Sequence, residues 1–198
     1  MKKFMKKGIA LAITGVMCLS GLPVSAAPEP EAIAYAGTGR VQISFNNDWR
    51  FREGEAGSGE KSGYDDSKWL YVNAPHSTIQ YTPENYYQED LGIYWYRRHF
   101  ETPDTAGDGR RVLLTFEGAM QQAEVWLNDS KLGTHQGGYT EFSFDITDYL
   151  KRDGSENVLA VKLDTRPNSG FAPGKTNPDF QYFGGLYRNV YVTVTDPV

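Results

Sequence analysis

Between residues 41 and 195, apolar and polar positions alternate over short runs broken by Gly, Pro, Asn and Asp, the pattern of half-buried strands rather than of helices. Eight strands are predicted, over 41–45, 93–101, 112–116, 123–127, 131–135, 140–145, 158–163 and 187–195. The run Val158-Leu159-Ala160-Val161-Lys162-Leu163 is apolar almost throughout, as in a strand covered on both faces, whereas Tyr191-Val192-Thr193-Val194-Thr195 alternates, with valines toward a core and Tyr and Thr toward solvent. Asn128 and Asp129 follow Val125-Trp126-Leu127 and tolerate the positive φ of a hairpin turn. Only residues 145–150 read as helical, with Asp145 capping and Ile146, Tyr149 and Leu150 on one face. Residues 53–63 hold four glycines and no large apolar side chain, which predicts a mobile surface loop. The sum is an all-β, two-sheet sandwich with one short helix.

The N-terminus follows a different pattern. Lys2, Lys3, Lys6 and Lys7 precede an apolar run over 8–24, and Val24-Ser25-Ala26 places small residues at a cleavage position. This is the arrangement of a secretory signal peptide, and the run is shorter than the ~20 residues a membrane span needs. Cleavage is expected after Ala26, giving a secreted or periplasmic product with no membrane attachment. Residues 27–40 mix Pro, Ala, Gly and charge and predict a flexible leader, so the domain proper is expected over 41–198.

Composition narrows the chemistry. Cys18, the single cysteine, leaves with the signal, so disulfides and cysteine-bound metals are excluded from the mature chain. Loss of the four lysines takes the formal charge from −5 to −9, and no basic stripe remains for nucleic acid. The chain of 198 residues is too short for a (β/α)₈ barrel, which takes ~250. His76, His99 and His135 have no zinc-motif spacing, and no metal or other cofactor is called for. His99, in a predicted strand, reads as a surface or core filler. His76 follows Pro75 in a loop and is open to either a structural or a substrate-contacting role. No compact pair of alternating carboxylates is found, nor a Gly-x-Ser-x-Gly elbow, so no catalytic residue is assigned. Tyr81, Tyr86 and Tyr87 lie in a loop-like segment among Asn, Gln, Glu and Asp, a mixture of flat apolar surface and polar groups that suits a sugar.

Four ordered segments carry a resemblance. They are Ala74-Pro75-His76-Ser77, then Ile93 through Phe100 with its Trp95-Tyr96-Arg97, then Val125 through Asn128 leading to His135-Gln136-Gly137-Gly138-Tyr139-Thr140 and the Asp145-Ile146-Thr147 stretch, and finally Phe183-Gly184-Gly185-Leu186-Tyr187-Arg188-Asn189-Val190. Together they resemble the N-terminal sugar-binding domain of glycoside hydrolase family 2 over about residues 41–196, and the last motif looks most like that of β-galactosidases. The resemblance implies a jelly-roll, galactose-binding-like β-sandwich. It further implies an immunoglobulin-like domain and a catalytic barrel with two glutamates as partners, neither within these 198 residues, so that this chain alone is inactive. It places Asn189 at the active-site rim, where an amide that both donates and accepts suits the vicinal hydroxyls of a β-galactoside. Gly137, Gly138, Gly184 and Gly185 are expected to turn the chain where a β-carbon is forbidden, and Arg188, within the last strand, to need a buried partner. With Asn189, His76, Tyr86 and Tyr87 are the candidate sugar contacts. Two other readings stay open: a free carbohydrate-binding module using the tyrosine loop, and a scaffold domain without sugar affinity.

Overall fold

The computed structural model describes residues 32–80, 82, 92–107, 109–166, 168, 170–172 and 183–197. The signal segment, the start of the leader, and Tyr81, Tyr86 and Tyr87 lie outside the described residues. Eleven strands are formed among the described residues: β1 Ala32–Tyr35, β2 Arg40–Ser44, β3 Trp49–Glu53, β4 Leu70–Val72, β5 Ile93–Phe100, β6 Arg111–Phe116, β7 Gln122–Leu127, β8 Ser130–Gln136, β9 Phe142–Asp145, β10 Asn157–Asp164 and β11 Val190–Thr195. They pair antiparallel in two sheets, one ordered β1-β2-β11-β6-β9 and the other β4-β3-β5-β10-β7-β8. This is a galactose-binding-like β-sandwich. Its core lies between the sheets, where Phe45, Trp49, Tyr96, Leu114, Phe116, Val161 and Val192 are buried. Each such apolar side chain contributes about 1.5–3 kcal/mol through the surface it removes from water.

All eight predicted strands form. Three more escaped the sequence pattern. β3 buries Trp49 and Phe51 between charged neighbours, and β4 is a three-residue edge. Of the leader predicted as flexible over 27–40, the described residues 32–40 form a hairpin arm instead: Ala32 pairs opposite Ile43 and Tyr35 opposite Arg40, with Gly37 and Gly39 at φ +75° and +64° in the intervening turn. All four β1 side chains are exposed, so the strand is held by backbone hydrogen bonds and leaves no burial pattern to read. The hairpin turn at Asn128 and Asp129 is as expected, with φ of 49° and 70°.

The predicted helix is one 3-10 turn, Thr147–Tyr149, with Asp145 accepting the Thr147 backbone N–H at 3.0 Å. Ile146 and Leu150 are buried but Tyr149 is exposed, because the tighter 3-10 turn does not bring all three onto one face. In β11, Val190, Val192 and Val194 face the core; Thr193, expected toward solvent, is buried too.

β5 is buried on both faces. Tyr94 and Tyr96 face the main core, while Ile93 and Trp95 join Ala56, Trp69 and Ala160 in a second cluster on the other side of the sheet. β10, through Ala160 on one face and Leu159, Val161 and Leu163 on the other, is covered twice as its sequence predicted. Between Trp95 and His99 on that outer face, Arg97 is fully buried. Its Nε donates to Asp66 at 2.6 Å, and its other nitrogens donate to the carbonyls of Gly59, Lys61 and Ser62. The glycine-rich segment 53–63, expected as a mobile surface loop, is therefore wrapped around a buried guanidinium. The physical reason lies outside the segment: a buried charge requires donors and acceptors to be matched, and the loop supplies its carbonyls.

His99 is not a filler either. Its Nε2 lies 2.8 Å from Asp66 and its Nδ1 2.8 Å from Glu156. Asp66 also accepts from Arg50. Burial pushes the Asp66 carboxyl up, but the hydrogen bonds and charges of His99 and Arg97 outweigh burial and hold it below its ordinary 3.8. Its stabilising contribution is thus complete above that value and is lost as pH falls through the lower folded one. Asp66→Ala is expected to cost about 3–5 kcal/mol in urea unfolding at neutral pH, because Arg97 is left buried and unpaired. The double variant Asp66→Leu with Arg97→Met should be milder than the single one.

Candidate functional site

Segments far apart in sequence meet at one end of the sandwich. The backbone N–H of His76 donates to the carbonyl of Leu186 at 2.7 Å, and that of Thr78 to Gly184 at 3.1 Å. Met120 pairs with Gly185 in an isolated bridge, its N–H donating at 3.1 Å. The Tyr187 hydroxyl donates to the carbonyl of Gly138. The loop 74–80, the turn before β7, the Gly137-Gly138 turn and the approach to β11 therefore form one cluster.

The glycines serve it in different ways. Gly185 has φ +100°, and a β-carbon there would lie 2.6 Å from both the His76 carbonyl oxygen and the Tyr96 hydroxyl. Gly137 has φ +120°, whereas a β-carbon on Gly138 would strike the Met120 sulfur. One glycine of the 137–138 pair is thus needed for conformation and the other for close approach; Gly184 is buried and engages through its carbonyl.

His76 is half-buried, with its ring 4.8 Å from that of Phe51 and Nδ1 2.8 Å from the Tyr96 hydroxyl. Burial pushes its pKa below the ordinary 6.5, so the neutral imidazole belongs to the folded state. These contacts give His76 a structural role; Nε2 bonds to no described residue.

Arg188 departs from expectation. It is exposed, precedes β11 rather than lying in it, and forms no ion pair among the described residues. Its guanidinium lies 5.5 Å from the centre of the Tyr187 ring. The strand cannot start earlier because the chain between the Gly185 bridge and Val190 bends across the sandwich end and leaves Arg188 in solvent.

Asn189 stands where this bend enters β11. Its Oδ1 accepts from Asn46 at 3.0 Å and its Nδ2 donates to Glu117 at 2.9 Å, while the Glu117 N–H donates to the Asn189 carbonyl at 3.0 Å. Asn46 Oδ1 in turn accepts the Val190 N–H at 2.8 Å. Asn189 and Asn46 line a cleft of about 250 Å³ together with Ile33, Gln42, Ser44, Glu117, Val190 and Tyr191. His76 is not among its walls. Sequence reasoning missed Gln42 and Tyr191 because they come from β2 and β11, and only the pairing of Tyr191 with Ser44 and of Thr193 with Gln42 sets them side by side; Asn46, in the loop after β2, is held there by its hydrogen bonds to Val190 and Asn189. No group of three or more His, Cys, Asp or Glu suited to a metal ion occurs among the described residues.

Residues 66–191 match the family described as glycosyl hydrolase 2 galactose-binding domain-like. The chain belongs to this family. Among relatives of this family 2 domain, a β-galactosidase of Thermoanaerobacter pseudethanolicus is 36% identical over 158 residues, covering 79% of this chain and 21% of that protein. A β-glucuronidase of Formosa agariphila is 32% identical over 173 residues, covering 80% and 17%. The crystal structure of Bacteroides uniformis β-glucuronidase superposes with a TM-score of 0.70 at 34% identity, over 79% of this chain and 18% of that one. The family 2 domain thus spans about a fifth of the length of the relatives it matches.

The Gly185 bridge gives a direct test. Gly185→Ala is expected to cost about 2–4 kcal/mol through positive φ and overpacking, read as a Tm at least about 5 °C lower. Gly63→Ala, where a β-carbon meets open space, should stay within about 0.5 kcal/mol of the parent.

Proposed function

We propose that this chain is the sugar-binding accessory domain of a secreted, β-galactosidase-like family 2 glycoside hydrolase, which supports a catalytic barrel and immunoglobulin-like partner domain and lends Asn189 to the substrate pocket. One observation carries the reading. Parts of the dispersed motifs, His76, Tyr96, Gly138 and the Gly184–Tyr187 stretch, meet at one end of the sandwich, and there Asn189 is exposed with its amide pre-oriented by Asn46 and Glu117. An amide fixed in this way loses little freedom when it meets vicinal hydroxyls. Hydrolysis would come from the barrel, since no carboxylate pair with glycosidase geometry is assigned to this chain. Secretion is supported by the four lysines and apolar run of residues 1–26.

A β-glucuronide is the second reading of the substrate, favoured by the names of the solved neighbours. The Phe183-to-Val190 wording favours the galactoside.

Grafting residues 27–198 in place of the first domain of the T. pseudethanolicus β-galactosidase tests the role. The chimera should hydrolyse a nitrophenyl β-galactoside, and Asn189→Ala should lower kcat/KM by about tenfold, or about 1.4 kcal/mol, with little change in Tm. A folded but inactive chimera, or an Asn189→Ala variant that loses Tm and keeps its turnover, would overturn it. For secretion, the exported product should begin at Ala27 by N-terminal sequencing, and an unprocessed N-terminus would count against it.

A further inference from the structure

The cleft beside Asn189 has a composition that selects its ligand. We propose that it binds the ring of a neutral hexose, a β-galactoside rather than a β-glucuronide, on the outer face of the β1-β2-β11-β6-β9 sheet. The inference deepens the sugar-binding reading above by fixing where the sugar sits and what charge it carries.

Size comes first. At about 250 Å³ the cleft falls just below the ~300 Å³ at which pockets for drug-sized ligands begin, which suits one sugar ring rather than an oligosaccharide. Its apolar walls come from opposite sides. Ile33 stands on β1, and Tyr191 on β11 offers a half-buried ring whose hydroxyl donates to Glu141 at 3.3 Å. Such surfaces receive the C–H faces of a pyranose. The polar groups are Gln42 and Ser44 from alternate positions of β2, with Asn46, Glu117 and Asn189 at the end of the cleft.

These groups are already oriented and keep capacity to spare. Asn46 and Asn189 each use one amide N–H in the chain from Asn46 to Asn189 to Glu117, leaving a second N–H on each. Glu117 accepts the Asn189 amide through Oε2 alone, leaving Oε1. Gln42 accepts the Tyr35 hydroxyl through Oε1 at 2.7 Å, leaving its NH₂. Amide N–H groups beside a carboxylate oxygen are what a vicinal diol requires, because each hydroxyl both donates and accepts.

Charge decides between sugars. Glu117 is the charged residue among the cleft's walls, Glu141 adjoins through Tyr191, and neither Lys nor Arg lines it. A uronate would bring a second carboxylate to a cleft whose walls already carry that of Glu117 and no cation, a repulsion that strengthens as water is excluded. A neutral hexose meets no such cost.

Nitrogen-edited NMR of the 198-residue chain, titrated with methyl β-galactoside and methyl β-glucuronide, tests this. Saturable shifts are expected at the side-chain amides of Gln42, Asn46 and Asn189 with the galactoside in the millimolar range, and affinity for the glucuronide weaker by about tenfold, or 1.4 kcal/mol. Tyr191→Ala and Gln42→Ala should each weaken galactoside binding; Gln42, at the surface of β2, keeps the test valid if the tyrosine variant unfolds. Glu117→Gln, which preserves the acceptor for Asn189, should narrow the gap between the two sugars. The proposal is overturned by an absence of saturable shifts with the galactoside, by shifts clustered instead around His76 and Gly185, or by glucuronide binding as tight as galactoside. An active chimera beside a silent titration would sink this cleft and leave the accessory role standing. A positive titration beside an inactive chimera would do the reverse.

Discussion

The guanidinium of Arg97 is fully buried on the central strand of the six-stranded sheet, and much of the structure follows from the need to satisfy it. A charge withdrawn from water must be met by opposite charge and by hydrogen-bond acceptors. Asp66 supplies the first, the carbonyls of Gly59, Lys61 and Ser62 the second, and both come from one loop. Once that loop is drawn over β5, Ala56 and Trp69 reach Trp95 and Ala160, and a second apolar cluster closes over the outer face. Asp66 is shared with Arg50 and His99, so the loop, β3 and β5 are joined through one carboxylate.

The same strand acts on its inner face. Tyr96, one residue before Arg97, turns into the main core and places its hydroxyl against His76 and beside Gly185. The loop 74–80 and the approach to β11 are thus drawn onto β5 from within, as the glycine-rich loop is from without. Only a residue without a β-carbon fits at 185, because the His76 carbonyl and the Tyr96 hydroxyl already occupy the space. The geometry of the sandwich end is in this way a consequence of packing at its centre.

Placement of Asn189 follows from that closure. The chain leaves the Gly185 bridge, exposes Arg188 and joins the five-stranded sheet at Val190, whose N–H is taken by Asn46. The family relationship accounts for the fold and for the motifs that close the sandwich end. The charged groups that border the cleft, with Glu117 among its walls, are instead a property of strand neighbours rather than of any one motif.

Short apolar runs, alternating where one face is buried and almost continuous in 158–163 where both are, determined the eight principal strands and the sandwich class, and Asn128 and Asp129 marked their turn through tolerance of positive φ. Gly137, Gly138 and Gly185 were legible for a related reason: at each of them positive φ or close approach forbids a β-carbon. β1 was not legible, since an exposed edge strand joins its neighbour through backbone groups common to every residue. Nor was the ordering of residues 53–63 legible, since it is imposed by a guanidinium more than thirty residues further along the chain. Asn189 could be named from its motif, but its companions Asn46, Glu117, Gln42 and Tyr191 could not. They are separated by up to 149 positions and become neighbours only because β11 pairs with β2 on one side and with β6 on the other, which tertiary packing alone decides.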